Sequence, residues 1–379
     1  MVAALYRRIA AASAILLLIL TIAQLKYGSN SSLRTYLPEM QSLNGVTKSS
    51  SESEAFPADT KQQIEALTTT EAAIISTSTG TTSKAIATAT ELPKGERFAF
   101  ATFLNRNVKN PELDEDDGYF VMARMMAFQI LHNPETRTKK GYPFIVFASE
   151  GVRPSKLERL KKDGVTVIPV KQVTSGWLKT KNSQWWDQLT KLRLFEQTQY
   201  DRIAYFDTDN IIRRNIDEIF HDPAADVSMN LGVPEQTKED EGDQPSQYVF
   251  AGVAGAGGFN HTYPPRKGKN LNAGCFVLMP SMEVFNHYLK VLTIEGRFPK
   301  KYMEQALLGY VHRHEGNMPW KNLDWTWNTN YVTWDDIEHN IATLHTKIWD
   351  NDYDLKLKEY VMELKGKMYG YWIAKEGGA

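Results

Sequence analysis

From residue 98 onward the sequence alternates short apolar runs with helical segments, and the connections between them are brief. The runs at 98–104, 143–148, 165–170 and 202–206 have strand length and are too short for helices. Helical spacing is read between them at 119–132, 153–163 and 186–197. The first of these stops before Asn133-Pro134 and the second at Gly164. A strand at 274–279, helices at 281–294 and 301–313 and a strand at 340–344 continue the pattern. Strand–helix–strand alternation with short connections favours right-handed crossovers, and hence a mainly parallel sheet with helices on both faces. The pattern predicts one α/β domain over 97–379, with regular elements ending near residue 365. No internal repeat interrupts it. The stretch 250–270 contains Ala251-Gly-Val-Ala-Gly-Ala-Gly-Gly258 but lacks the spacing of a nucleotide-phosphate glycine loop. It is read as a mobile surface loop, the alternative being a lid or acceptor-binding loop.

The residues before this domain differ in kind. Arg7 and Arg8 precede an uncharged apolar stretch, 9–25, closed by Lys26. As a helix, about 17 residues would span roughly 25 Å, the short end of a membrane crossing. Basic residues on the N-terminal side favour a cytoplasmic tail, 1–8, with the rest of the chain in a lumen. A cleaved signal peptide is the competing reading, but Gln24-Leu25-Lys26-Tyr27 lacks the small residues of a cleavage site. Residues 26–96 are rich in Ser, Thr and Ala with few aromatics. Such a segment buries too little surface to offset its chain entropy, which predicts a disordered stalk. Asn30-Ser-Ser32 and Asn260-His-Thr262 are N-glycosylation sequons.

Charge and cysteine content exclude several classes. The formal net charge is −1, so no global field would collect nucleic acid. One cysteine, Cys275 in an apolar run, rules out an intramolecular disulfide and a multi-cysteine zinc site.

The densest chemical signal is Tyr205-Phe-Asp-Thr-Asp-Asn210, an apolar strand running into two carboxylates. In extended backbone, residues i and i+2 share a side, so Asp207 and Asp209 are expected to face one cation while Thr208 turns away. Ligands of open α/β sheets bind at the carboxyl ends of strands, where this pair falls. A divalent ion between the carboxylates, bridging to phosphate oxygens, would relieve their repulsion. Haloacid-dehalogenase-type phosphatases also place Asp-x-Asp after a strand, with the first Asp a nucleophile. There the motif opens the domain and Thr or Val follows two residues on, whereas Ile211 stands here about 110 residues in. No lysine-then-acidic-pair pattern of the phosphatase kind follows downstream, and Asp335-Asp336 would have to be forced into that role.

An ordered set of blocks carries a family resemblance. Lys191-Leu, Phe206-Asp-Thr-Asp-Asn210, Ile216-Asp-Glu-Ile-Phe220, Leu271-Asn-Ala-Gly-Cys-Phe-Val277, Glu304-Gln-Ala-Leu-Leu308, Trp327-Asn-Thr-Asn-Tyr331 and Leu344-His-Thr-Lys347 follow one another along the chain. Their order resembles family 8 glycosyltransferases, which include glycogenin and fungal Golgi N-acetylglucosaminyltransferases. The resemblance implies a GT-A, Rossmann-like fold, a UDP-sugar donor, Mn²⁺ and retention at the anomeric carbon. It implies metal ligation by Asp207, Asp209 and His345, and donor contacts from Thr102, Leu104, Tyr119, Lys191, Thr208, Asn272, Ala273, Gly274 and Asn328. Glu304 and Gln305 would face the sugar, and Lys347 the diphosphate. The acidic insert 112–117 departs from the family's spacing near the uridine site, and His-Thr-Lys is shorter than its usual histidine-to-lysine gap. The expected partners are a UDP-sugar, with GlcNAc or glucose the sugar, and a glycan or glycoprotein acceptor in the Golgi lumen. A catalytically inactive sugar-nucleotide-binding relative is a further alternative.

The basic pair before the apolar stretch yields a topology test. Protease added to sealed microsomes should leave the domain after residue 97 intact until detergent is added. Digestion without detergent would place it on the cytoplasmic side.

Overall fold

A computed structural model of the chain describes residues 96–107, 114, 117–178, 187–265, 268, 270–347 and 354–377. The expected tail and anchor, and the stalk to residue 95, lie outside the described residues. No helix among the described residues is long and apolar enough to cross a membrane.

In chain order the strands used below are β1 (Phe98–Leu104), β2 (Phe144–Ser149), β3 (Thr166–Val170), β4 (Arg202–Phe206), β5 (Asn210–Ile212), β6 (Phe250–Ala254), β7 (Leu271–Leu278), β8 (Lys321–Asn322), β9 (Asn328–Asn330) and β10 (Thr343–His345). The α-helices used below are α1 (Gly118–Leu131), α2 (Pro154–Lys162), α3 (Met282–Leu292), α4 (Met303–Val311), α5 (Trp334–Glu338) and α6 (Leu355–Lys375). Seven strands form the main sheet in the order β8-β6-β7-β4-β1-β2-β3. The pairs β1–β2, β1–β4, β2–β3 and β6–β8 are parallel, while β7 runs antiparallel to both β4 and β6. The sheet is thus mainly parallel, as expected, with one reversed strand beside its centre.

Strand parity divides the core. In β1, Phe98 and Phe100 face one layer while Ala99, Ala101 and Phe103 face the other. In β4, Ala204 and Phe206 join the first and Ile203 and Tyr205 the second. The first layer is covered by α1 and by Leu160 of α2, the second by α3, α4 and the segment around Leu192. Burial on both faces explains why these strands read as unbroken apolar runs.

Four sequence expectations change in detail. The helix expected at 186–197 is a run of 3-10 turns, Gln188–Glu196, in which Leu189, Leu192 and Phe195 are buried at a spacing of three. Residues i and i+3 eclipse in a 3-10 helix, so that spacing suits it. The helix expected at 301–313 is a 3-10 turn, Lys300–Tyr302, followed by the shorter α4. The strand expected at 340–344 contracts to β10, because Asn340 adopts φ +56° and turns the chain just before it. The first residues of the expected loop at 250–270 form β6, a buried strand paired with β7. Gly252 is needed there, since a Cβ would lie 2.5 Å from Leu271 Cδ1.

Helix α6 is an addition. Its Leu357, Val361, Leu364, Met368 and Trp372 cover Val121, Met122, Met125 and Phe128 of α1. Helix α1 is therefore buried on both sides, and even its Arg124 is paired, at 2.7 Å, with the fully buried Asp163. Arg159 links the same carboxylate to Glu376 beyond α6, at 2.7 Å each, and lies 4.9 Å over the Trp372 ring.

Trp372 is the test of this packing. Trp372→Ala should destabilise the domain by about 3–5 kcal/mol. The exposed neighbour Ile373→Ala should stay within about 0.5 kcal/mol. Thermal or denaturant unfolding of the two variants checks the contrast.

Candidate functional site

Strand β4 ends at Phe206, and the backbone then turns: the Asn210 amide donates to the Asp207 carbonyl oxygen at 3.0 Å. The two carboxylates are presented by a turn rather than by the extended chain expected from sequence. The convergence survives because the turn is held on three sides. The Asp207 amide donates to the Gly274 carbonyl of β7 at 2.8 Å, and the Asn210 side chain donates to the same oxygen at 3.1 Å. Thr208 turns away, as its parity suggested, and donates to the Phe103 carbonyl at 2.5 Å beside the Thr102 hydroxyl. Asn328 Nδ2 donates to both Asn210 Oδ1 and Thr343 Oγ1, at 2.7 Å each.

A small sheet, β9-β10-β5, brings the distant ligand. Strand β10 lies antiparallel to β5 with His345 opposite Asn210. The Thr346 amide adds a bond of 2.8 Å to the Asp209 carbonyl oxygen. The imidazole then crosses Gly274 so closely that a Cβ there would lie 2.4 Å from His345 Cε1 and Nδ1. Glycine is required by this approach.

His345 Nε2 stands 3.0 Å from Asp209 Oδ1 and 3.8 Å from Asp207 Oδ2. One ligand atom from each of Asp207, Asp209 and His345 falls within 4.8 Å of the others. His345 Nδ1 is buried with no hydrogen-bond partner. Two carboxylates and an imidazole, with His345 Nε2 the ring nitrogen turned toward them, suit a divalent cation.

Lysines flank this trio on both sides. Lys191 Nζ is buried between Asp207 Oδ1 at 2.7 Å and Glu304 Oε1 at 2.8 Å. Burial alone would push this ammonium's pKa down; the two carboxylates outweigh it and hold it above the ordinary lysine value. Burial also raises the Glu304 carboxyl, against the opposing pull of Lys191. On the far side Lys347 Nζ meets Asp209 Oδ2 at 2.6 Å, and its side chain is 39% exposed. Asp209 is buried, which would raise its pKa, yet His345 and Lys347 hold it far below the carboxylate range. His345 ends β10 and Lys347 lies two residues beyond it, and the two side chains share one carboxylate.

The other residues read from sequence take varied places. Tyr119 lies in the first turn of α1 near Asp209 and Lys347, its phenol pushed up to about 12 by burial and by the Asp209 charge. Asn272 Oδ1 accepts from the Gly274 amide at 2.9 Å, and Gln305 Oε1 from the Ala273 amide at 3.0 Å, so both side chains shape the 272–274 backbone. Thr102 and Leu104 are both buried on the α1 side of β1, Leu104 within the core and Thr102 beside the Thr208 hydroxyl. Of the Asp335-Asp336 pair named for the phosphatase alternative, Asp336 is fully buried and caps α5 while holding His261, and Asp335 is exposed in the first turn of α5.

Sequence reading missed Tyr205. Its hydroxyl donates to Asp207 Oδ1 at 2.7 Å, and Lys191 lies 5.4 Å over its ring. With Lys191 and Tyr205 both on Oδ1, Asp207 is held with Oδ2 toward His345. The i, i+2 parity that linked Asp207 to Asp209 also links Tyr205 to Asp207, and was the available signal.

No family model matches the chain. An uncharacterized protein of Schizosaccharomyces pombe is 32% identical over 271 residues, covering 62% of this chain and 70% of that protein. A second from the same yeast is 30% identical over 269 residues, covering 63% and 70%. This chain belongs to their family. Inositol phosphorylceramide glucuronosyltransferase 1 of Arabidopsis thaliana is 29% identical over 104 residues, 27% of this chain and 18% of that protein. Among solved structures, the galactosyltransferase LgtC in complex with donor and acceptor sugar analogs aligns at a TM-score of 0.40 and 13% identity, over 71% of this chain and 95% of that one. Likeness at that level says nothing about activity.

The Tyr205 hydroxyl supplies the test of the site. Tyr205→Phe keeps the ring and removes the bond that orients Asp207. Outer-shell losses of this kind lower metal affinity by about 10- to 100-fold. Mn²⁺ titration followed by calorimetry should show that loss with an unchanged melting profile.

Proposed function

We propose that the chain is a metal-dependent glycosyltransferase of GT-A type. It transfers a sugar, GlcNAc or glucose, from a UDP-sugar to a glycan or glycoprotein acceptor with retention of configuration. The observation that carries this reading is the Asp207–Asp209–His345 cluster at the carboxyl end of β4, flanked by Lys191 and Lys347. The partial match to a glucuronosyltransferase supports the same chemistry. The N-terminal basic pair and apolar stretch support a type II anchor in the Golgi membrane, with this domain lumenal.

In the reaction the anomeric C–O bond to the diphosphate breaks, a bond to the acceptor oxygen forms, and a proton leaves the acceptor hydroxyl. Negative charge grows on the departing UDP. A Mn²⁺ ion held by Asp207, Asp209 and His345 would supply a Lewis acid for that charge. Lys347, half in solvent, is the ammonium positioned to accompany the diphosphate and to stabilise it as charge develops. Lys191 is fully engaged by Asp207 and Glu304, so its work is to keep both carboxylates oriented. Glu304 and Gln305 then lie side by side along the sugar end, with Gln305 bracing the Ala273 amide.

The phosphatase alternative asks Asp207 to attack phosphorus. Its Oδ1 accepts from both Lys191 and Tyr205, and Asp336 is closed off in the α5 cap. Both observations favour the transferase.

A donor panel tests the proposal. The full chain should release UDP from at least one UDP-sugar with Mn²⁺ and not after chelation. Asp207→Asn and Asp209→Asn should each lower kcat/KM by roughly 10²- to 10³-fold while the protein stays folded. Near-normal turnover in either variant would remove that carboxylate from the site.

A further inference from the structure

The connection between β6 and β7 rises beside the metal cluster. Val253 pairs with Asn272 and Ala254 with Leu271, so the loop departs from the strand ends that carry Gly274. The described part of this loop is tied down rather than loose. The Ala256 amide donates to Asn330 Oδ1 at 2.8 Å. His261 Nε2 lies 2.9 Å from Asp336 Oδ1, and its Nδ1 lies 2.8 Å from the Gly258 carbonyl oxygen. The Tyr263 ring stacks on His339 at 3.7 Å.

Two rings stand out of that base. Phe259 and Tyr331 are each 44% exposed. Their centroids are 5.3 Å apart and their planes 83° from parallel, so together they form a right-angled apolar corner open to solvent. Tyr331 adopts φ +58°, the left-handed region that Gly or Asn enters more easily. Backbone strain of this kind gathers where a side chain must be aimed for function. Tyr331 stands just past the end of β9, in the small sheet that also carries His345. Tyr331 directly follows Asn330, the pairing partner of His345, and β9 runs parallel to β10. The chain therefore leaves β9 at Tyr331 on the same end of the small sheet where it leaves β10 toward Lys347.

We propose that Phe259 and Tyr331 form the acceptor subsite and take a pyranose ring by its C–H face. This inference rests on the glycosyltransferase reading. A pyranose carries hydroxyls around its rim and C–H bonds on its faces. An aromatic plane removes the C–H face from water while the rim stays hydrated. Among the described residues the corner is two rings wide, and the exposed polar residues Asn260 and Thr262 lie next to it in the loop. That matches an amphipathic ring better than an acyl chain, which needs a continuous apolar track.

The test uses the full chain, the UDP-sugar that gives the fastest UDP release without acceptor, and the methyl and octyl glycosides of glucose, galactose and mannose as acceptors. Phe259→Leu removes a ring and keeps apolar bulk. Tyr331→Asn removes the other and suits the left-handed backbone. Each should raise the KM for the best pyranoside roughly fivefold to tenfold, while acceptor-free UDP release and its Mn²⁺ dependence stay unchanged. Phe259→Tyr should behave as the unaltered chain. An unchanged KM, or transfer to none of the pyranosides, with UDP release intact, overturns the subsite and leaves the transferase reading standing. Loss confined to octyl glycosides assigns the corner to an acyl tail and also overturns it. Absence of UDP release from every donor removes the transferase reading, and the inference with it.

Discussion

The contact between the His345 imidazole and the bare backbone at Gly274 organises the site. A side chain on residue 274 would collide with the ring, so the absence of one decides whether β10 can close against β5. Once closed, that pairing delivers His345 and Lys347 to a turn whose Asp209 is 138 residues from Lys347 in sequence. The same backbone carbonyl of Gly274 receives the Asp207 amide and the Asn210 side chain. One small residue thus serves as the floor for the imidazole and the anchor for the acidic turn.

Around that contact the charges are arranged in a chain. Glu304, Lys191, Asp207, His345, Asp209 and Lys347 succeed one another at hydrogen-bonding or near-contact distances. Buried charges are tolerated only when paired, and breaking one partner leaves the other stranded. Lys191 has two carboxylates to satisfy, so its loss would strand two charges, whereas Lys347 is partly in water and has one. The two lysines are therefore unequal in structure. The interior one holds geometry, and the outer one is free to respond to a charged ligand.

The sheet and its order of elements were legible because both faces of the central strands are buried, so β1, β2 and β4 appear as unbroken apolar runs. The acidic pair was legible because its residues are adjacent, while the turn that presents it was not, because it is held by the distant Gly274 carbonyl. His345 was not legible alone: its strand is three residues long and is defined by pairing with β5. Tyr205 was hidden by its own burial, since a tyrosine in a core strand reads as packing until its hydroxyl partner is known. Helix α6 was obscured by Leu355, Met362 and Ile373, apolar residues on its exposed side that blur the inward stripe. Phe259 and Tyr331 come together through the contacts that tie their loop down, Ala256–Asn330 and His261–Asp336 among them, and nothing in their spacing announces it.

Helix α1 has helix on one side and sheet on the other, which makes the domain deeper there than across the opposite face. Its amides can meet solvent only after α6 has lifted away or the sheet itself has opened. Hydrogen exchange should then occur in sequence, with α6 exchanging first and α1 sharing the protection of β1 and β4. A terminal helix that looks peripheral in the chain order is in that sense the outer lock on the centre of the fold.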